Sequence, residues 1–274
     1  MPIQITSLQN PHVKAAAALR EARERRRRHR IIIDGVREIQ RAFESGVVFK
    51  EVFFCPAMIT PDAEQLLKQV STPPTELFEV TSRVFEKLNF GERQDGIVAV
   101  AEAPQRTLTD LESQIGTPLI AILEGIEKPG NVGAIIRTAD GAGLSGVITA
   151  DLRTDLYNPN AIRASLGTIF SMTVLSLEGH EARKWAREHG LQLIAAKVEG
   201  EIPYHRVDFT RPTAIILGNE ASGLTAIWDE PDVIGVSIPM LGKADSLNVS
   251  VAAAILFYEA QRQRGFPIRE QIRH

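Results

Sequence analysis

Six short apolar runs recur between Leu119 and Ile238, separated by helix-forming stretches. They are Leu119–Leu123, Gly146–Thr149, Thr173–Leu175, Leu191–Ala196, Thr213–Leu217 and Val233–Ile238. Each is too short for a stable helix and reads as a candidate strand. The stretches 131–141, 159–167, 180–189 and 247–262 read as helices. Strands alternating with helices predict an α/β unit. The first hundred residues repeat the pattern on a smaller scale. Ile31–Ile33, Val52–Phe54, Leu77–Val80 and Ile97–Val100 read as strands. Helices follow Asp34-Gly35, open at Thr60-Pro61 and run from Val84 to Leu88. Pro104 to Pro118 is polar and Thr-rich and reads as a linker, so two units are expected in the 274 residues.

Composition removes several classes. A single cysteine, Cys55, excludes an intramolecular disulfide framework and a multi-cysteine zinc site. Six histidines without paired spacing argue against a metal centre. No apolar run reaches the ~18 residues of a membrane span. The segment Met1–Thr6 has neither signal-peptide nor lipidation character, so a cytoplasmic protein is expected.

The net charge of −3 argues against a uniformly basic nucleic-acid binder, but the charge is uneven. Asn10-Pro11 reads as an N-cap with proline at the first helical position, opening a helix over 10–29. That helix carries Lys14, Arg25, Arg26, Arg27 and Arg28, opposed by Glu21 and Glu24. Such a cluster is either a solvated face or a contact for nucleic-acid phosphates.

One motif misleads. Gly141-Ala-Gly-Leu-Ser-Gly146 matches the dinucleotide fingerprint, which must follow a strand and open a helix. Here it follows a helical stretch and precedes a strand, so it reads as a turn.

Three segments concentrate polar residues where strands of the second unit end, the place at which α/β sheets bind ligands. After Leu123 comes Glu124-Gly-Ile-Glu-Lys-Pro-Gly-Asn131-Val-Gly-Ala-Ile-Ile-Arg137-Thr-Ala. Asn131 is expected to cap the helix that carries Arg137. After Leu217 comes Gly218-Asn219-Glu220-Ala-Ser-Gly223-Leu. After Ile238 comes Pro-Met240-Leu-Gly-Lys-Ala-Asp245-Ser246-Leu247-Asn248-Val249-Ser. Asp245 or Ser246 is expected to cap the last helix, with Leu247, Val251, Ile255 and Tyr258 as its apolar face.

The order and spacing of N-x-G-A-I-x-R-T-A, G-N-E-x-x-G-L and I-P-M with D-S-L-N-V-S resemble the SpoU/TrmH branch of the SPOUT RNA methyltransferases. Ser7–Pro11 and Asp34-Gly35-Val-Arg37-Glu resemble that family's ribosomal-protein-like RNA-binding domain. The resemblance implies an RNA substrate-binding domain over 1–104, a linker over 105–117 and an α/β-knot methyltransferase domain, with a deep trefoil knot, over 118–274. It implies S-adenosyl-L-methionine as cofactor, held by Leu217, Gly218, Asn219, Ile238, Met240, Leu247 and Val249, and no metal. Arg137 is the implied catalytic group, assisted by Asn131, Glu220, Ser246 and Asn248. RNA contacts are expected from Lys14, Arg25–Arg28, Arg37 and Arg163. The implied reaction is methylation of a ribose 2'-hydroxyl, in ribosomal RNA, by a homodimer. Transfer RNA as substrate, a non-catalytic RNA-binding relative and a base methyltransferase remain the alternatives.

Overall fold

The computed structural model describes residues 2–90, 95–112 and 117–266. Positions 113–116 of the expected linker and 267–274 of the expected methyltransferase domain lie outside the described residues. The chain divides into two compact units.

The first unit begins with β1 (Ile3–Ile5), α1 (Pro11–Ala18), α2 (Ala22–Arg28), β2 (Arg30–Asp34) and α3 (Val36–Glu44). It continues through β3 (Phe49–Phe54), α4 (Pro61–Val70), β4 (Glu76–Val80), α5 (Ser82–Leu88) and β5 (Ile97–Glu102). The strand order is β1-β4-β3-β5-β2. β5 runs antiparallel to both β2 and β3. β1, β4 and β3 are mutually parallel. Ile32, Phe53, Phe78, Phe85, Val98 and Val100 fill one side of the sheet.

The expected helix over 10–29 is two helices. Asn10 caps α1, its side chain accepting from the His12 amide. Arg25, which is 3% exposed, sits against the break at 19–21. Its Nη1 donates to the carbonyls of Leu19 and Arg20, both at 2.7 Å. In a continuous helix those oxygens would accept from amides four residues on. A buried guanidinium has taken them instead.

The second unit starts inside the expected linker, where α6 (Leu108–Glu112) buries Leu111 in the core. Then come β6 (Leu119–Glu124), α7 (Pro129–Gly141) and β7 (Gly146–Ala150). α8 (Pro159–Ala164) and α9 (Thr168–Ser171) follow, together replacing the single helix expected over 159–167. The remaining elements are β8 (Val174–Leu177), α10 (Gly179–Glu188), β9 (Gln192–Ala196), β10 (Ile202–Pro203), β11 (Thr213–Leu217), β12 (Val233–Ser237) and α11 (Val249–Gln263). The sheet is parallel throughout, in the order β10-β12-β9-β11-β6-β7-β8. Every residue of β6, β7 and β11 is buried, in keeping with their largely apolar sequences.

Residues Tyr157–Ser171, with α8 and α9, pack with the first unit although they fall within the second half of the chain. Arg41 of α3 donates to the Leu166 carbonyl at 2.6 Å, and Arg163 to the Phe90 carbonyl at 3.2 Å. Gly167, at φ +82°, leaves room for the α3 backbone, since a Cβ there would lie 3.0 Å from the Glu38 Cα. The Gly141–Gly146 segment is a helix-to-strand turn, with Gly143 at φ +67° between α7 and β7.

Candidate active site

The loops after β6, β11 and β12 converge at the C-terminal edge of the second sheet. Glu124, the last residue of β6, is 2% exposed. Its carboxylate accepts from the Thr225 amide (2.8 Å), the Thr225 hydroxyl (2.7 Å) and the Trp228 indole (2.8 Å). That one buried acid ties the loop after β11 to the end of β6, and its three donors offset the desolvation of the charge.

Asn219 makes the second tie. Its Nδ2 donates to the Gly125 carbonyl at 2.9 Å, and its Oδ1 accepts from the amides of Ala221 and Ser222. The Asn219 and Gly223 backbones also exchange two hydrogen bonds, 3.1 and 2.9 Å long. The loop therefore folds back on itself, and Gly218 is where it does so. A Cβ at Gly218 would lie 2.6 Å from the Gly223 carbonyl carbon. The close approach that needs a glycine here is the loop's own backbone.

Between these loops lies a cavity of about 480 Å³. Leu217, Gly218, Asn219, Ile238, Met240, Leu247 and Val249, the seven positions expected around a cofactor, all line it. Ala196, the last residue of β9, and Lys197, Val198 and Glu199 just beyond it add to the wall. Sequence reasoning missed them because that segment carries no motif, only its place next to β11 in the sheet order. Four lining carboxylates (Glu199, Glu220, Asp229, Asp245) face one lining ammonium, Lys197. Lys197 is itself bound by Asp229 at 2.6 Å. The cavity is thus apolar with an acidic surround, a setting that favours a cationic ligand with a flat apolar part.

Beside the cavity, Glu220 gathers the polar residues. Its Oε1 accepts from the Asn131 side-chain amide and from Asn248 Nδ2 at 2.8 Å. Its Oε2 pairs with Lys128 Nζ at 3.0 Å. Asn248 Nδ2 also reaches Asn131 Oδ1 at 3.4 Å. Residues separated by 89 and 117 positions in the chain thus form one network. Lys128 is a member that the spacing of the motifs did not single out.

Both expected caps are displaced. Helix α7 begins at Pro129, so Lys128 holds the N-cap position without a side-chain cap, and Asn131 sits in the first turn. Proline at the first helical position moves the start three residues earlier than the asparagine suggested. Asn248, rather than Asp245 or Ser246, caps α11, with its Oδ1 accepting from the Ser250 amide at 2.9 Å. One side chain caps a helix with its oxygen and serves the network with its nitrogen. Ser246 is exposed and lines the cavity.

Arg137 is exposed and has no hydrogen bond or ion pair among the described residues. It stands six residues beyond Asn131, ~9 Å along the axis and ~240° around it, so the fold does not bring it into the Glu220 network. The expected apolar face of α11 is displaced as well. Val249, Ala253, Leu256, Phe257, Ala260 and Gln261 are the buried residues, whereas Val251 and Tyr258 are exposed and Ile255 is half-buried.

The expected RNA contacts fall into distinct settings. Lys14, Arg26 and Arg37 are exposed. Arg27 and Arg28 are also exposed and bind Glu24 at 2.6 and 3.0 Å. Arg163 is half-buried on the Phe90 carbonyl. Arg25 is a correction, because it is buried and holds backbone carbonyls, with no face left for a phosphate.

Residues 118–258 match the model of the SpoU rRNA methylase family, and residues 10–99 match an MRM3-like substrate-binding domain. The chain belongs to the SpoU rRNA methylase family. Among its relatives, the 23S rRNA (uridine(2479)-2'-O)-methyltransferase of Streptomyces viridochromogenes is 31% identical, over 95% of this chain and 92% of its own. The crystal structure of an RNA 2'-O ribose methyltransferase matches with a TM-score of 0.82 and 38% identity, covering 96% of this chain and 99% of that one. An AdoMet-bound rRNA methyltransferase from Sinorhizobium meliloti matches with a TM-score of 0.86 and 29% identity, over 95% and 97% of the two chains. As a SpoU family member, the chain combines an α/β methyltransferase unit with an N-terminal substrate-binding domain.

Proposed function

We infer that this protein is an S-adenosylmethionine-dependent RNA methyltransferase that modifies a ribose 2'-hydroxyl in ribosomal RNA. The observation that carries the reading is the cavity at 217–249, with the Glu220 network at its edge. S-adenosylmethionine fits the residues present. Its sulfonium and ammonium suit the four lining carboxylates, and its adenosine suits Leu217, Ile238, Met240 and Leu247. A volume of about 480 Å³ lies within the usual range for a small-ligand site. The knotted threading of the family would bring the loops after β11 and β12 and the start of α11 together, and their convergence on this cavity supports it.

When bound, the cofactor supplies an electrophilic methyl group. The residues of the chain do the rest. Asn131, Glu220 and Asn248 hold the ribose side of the site in one orientation. Ser246 lines the mouth of the cavity and adds a hydroxyl. The ribose 2'-hydroxyl would accept that methyl group and release its proton to solvent water, with Asn131, Glu220 and Asn248 orienting the hydroxyl. Arg137 stabilises the developing oxyanion, because a fixed charge at that oxygen lowers the barrier.

Arg137 and the exposed Val251–Tyr258 stripe of α11 together support a homodimer. α11 packs on α7, so a two-fold contact along this face buries the apolar stripe and carries Arg137 toward the partner's site. Light scattering at micromolar concentration should give twice the chain mass, and a stable monomer would count against it.

Lys14, Arg26, Arg27, Arg28 and Arg37 bind RNA through the substrate-binding domain, with Arg163 from the segment after β7, and the protein acts in the cytoplasm. Among the described residues, no helix is long and apolar enough to cross a membrane. The test is transfer of labelled methyl from S-adenosylmethionine to unmodified ribosomal RNA, followed by mapping of hydrolysis-resistant ribose. Label on a base, or on transfer RNA alone, would overturn the reading.

A further inference from the structure

We propose that Lys128 and Arg153 form a phosphodiester-binding pair on the catalytic unit, gripping the RNA strand beside the target nucleotide. The inference rests on the function proposed above and adds contacts outside the substrate-binding domain.

The two cations stand on neighbouring loops. Lys128 ends the loop after β6, and Arg153 lies in the loop after β7. β6 and β7 are paired in parallel up to Glu124 and Ala150, so the loops leave the same sheet edge side by side. Each cation is held by a carboxylate: Lys128 by Glu220 at 3.0 Å, and Arg153 by Glu127 at 2.8 Å. Their side chains remain 72% and 62% exposed. Lysine has three donors and arginine five, and each uses one on its carboxylate, leaving the others to solvent. A small cavity of about 200 Å³ opens between Ile126, Lys128 and the Asn219–Ala221 loop.

Fold stability does not explain this arrangement. Exposed ion pairs contribute little to it. An ammonium at the N-cap of the thirteen-residue α7 also opposes the helix dipole, where Ser, Thr or Asp would stabilise. Two requirements of an RNA substrate do explain it. Glu220 and Glu127 would repel a phosphodiester at the site unless each is neutralised. Holding long cationic side chains on carboxylates also fixes their direction before the strand arrives, which lowers the ordering cost of binding.

The experiment uses the full chain with Lys128→Gln, Arg153→Gln, the double variant and Lys128→Arg. Three quantities are measured: RNA affinity by filter binding across a potassium chloride series, affinity for S-adenosylhomocysteine by calorimetry, and methyl transfer. Removing one cation–phosphate interaction reduces the slope of log affinity against log salt by ~0.7–0.9. The expected result is that reduction in each glutamine variant, roughly twice that in the double variant, no reduction in Lys128→Arg, and unchanged affinity for the homocysteine product. An unchanged slope overturns the proposal. So does a fall in product affinity or turnover at constant slope, which would make Lys128 only a tether for Glu220. Failure of the wild-type protein to methylate RNA would instead refute the function, and the salt slopes would still judge the pair.

Discussion

Gly218→Ala tests the geometry of the cavity most directly. The added Cβ would lie 2.6, 2.7 and 2.8 Å from the Gly223 carbonyl carbon, its oxygen and the Leu224 nitrogen. All three are backbone atoms, so no side chain can swing aside. Reaching an ordinary 3.4 Å contact requires a displacement of 3.4 − 2.6, or ~0.8 Å, in a loop fixed at both ends. Asn219 pins that loop to Gly125, and Thr225 and Trp228 pin it to Glu124. Overpacking of this kind costs about 1–3 kcal/mol. If the loop relaxes by closing the cavity, the same energy appears as roughly a 5- to 150-fold loss of cofactor affinity. Calorimetry with S-adenosylhomocysteine and a thermal melt divide the cost between binding and stability. Two controls grade the effect. Gly223→Ala meets nothing within 4 Å but must hold φ near +68°, a strain of about 1–2 kcal/mol. Gly242→Ala meets nothing and carries no such strain, so it should be silent. A Gly218→Ala protein with wild-type stability and affinity would refute the reasoning, because the loop would then be free to move where its hydrogen bonds say it is not.

Three further outcomes are expected. Arg137→Ala should lower methyl transfer by about 100- to 1000-fold or more while leaving product affinity intact, since Arg137 does not line the cavity; labelled transfer and calorimetry read the two halves, and near-normal turnover would make it structural. Asp34→Asn should stabilise the fold at neutral pH, because burial pushes the Asp34 carboxyl up to about 6 against the help of the Phe90 amide and Arg163; the folded state then binds more protons than the unfolded one, so stability falls as pH rises from ~4 to ~6 and the deficit, up to about 3 kcal/mol, persists above it, and denaturation at pH 4 and pH 7 should show the gain only at pH 7. Arg25→Ala should cost about 1.5–3 kcal/mol of stability through its two carbonyl bonds, whereas Arg26→Ala should weaken RNA binding with an unchanged melt; equal melts for both would show that Arg25 is as free as its neighbours.

What the sequence determined by itself is the frame of the second unit and the identity of its ligand-facing segments. A buried strand shows as an apolar run too short for a helix, so Leu119–Leu123 and Thr213–Leu217 are legible without knowing their partners. The three polar segments end such strands, and all seven expected cofactor positions line one cavity. The fold decided what depends on atoms distant in the chain. Arg25 reads as one more surface arginine until the break between α1 and α2 gives it two carbonyls. Ser246 and Asn248 are both competent helix caps, and the choice between them is set by Glu220, which takes the Asn248 amide from another loop. The buried face of α11 is set by where α7 lies, so residues of equal hydrophobicity divide between core and surface. Tyr157–Ser171 joins the first unit because Gly167 admits α3 and Arg41 finds the Leu166 carbonyl, 125 positions away. Local pattern encodes how much a segment must bury, whereas the partner of a polar group is a matter of long-range geometry, which hydrophobic periodicity does not carry.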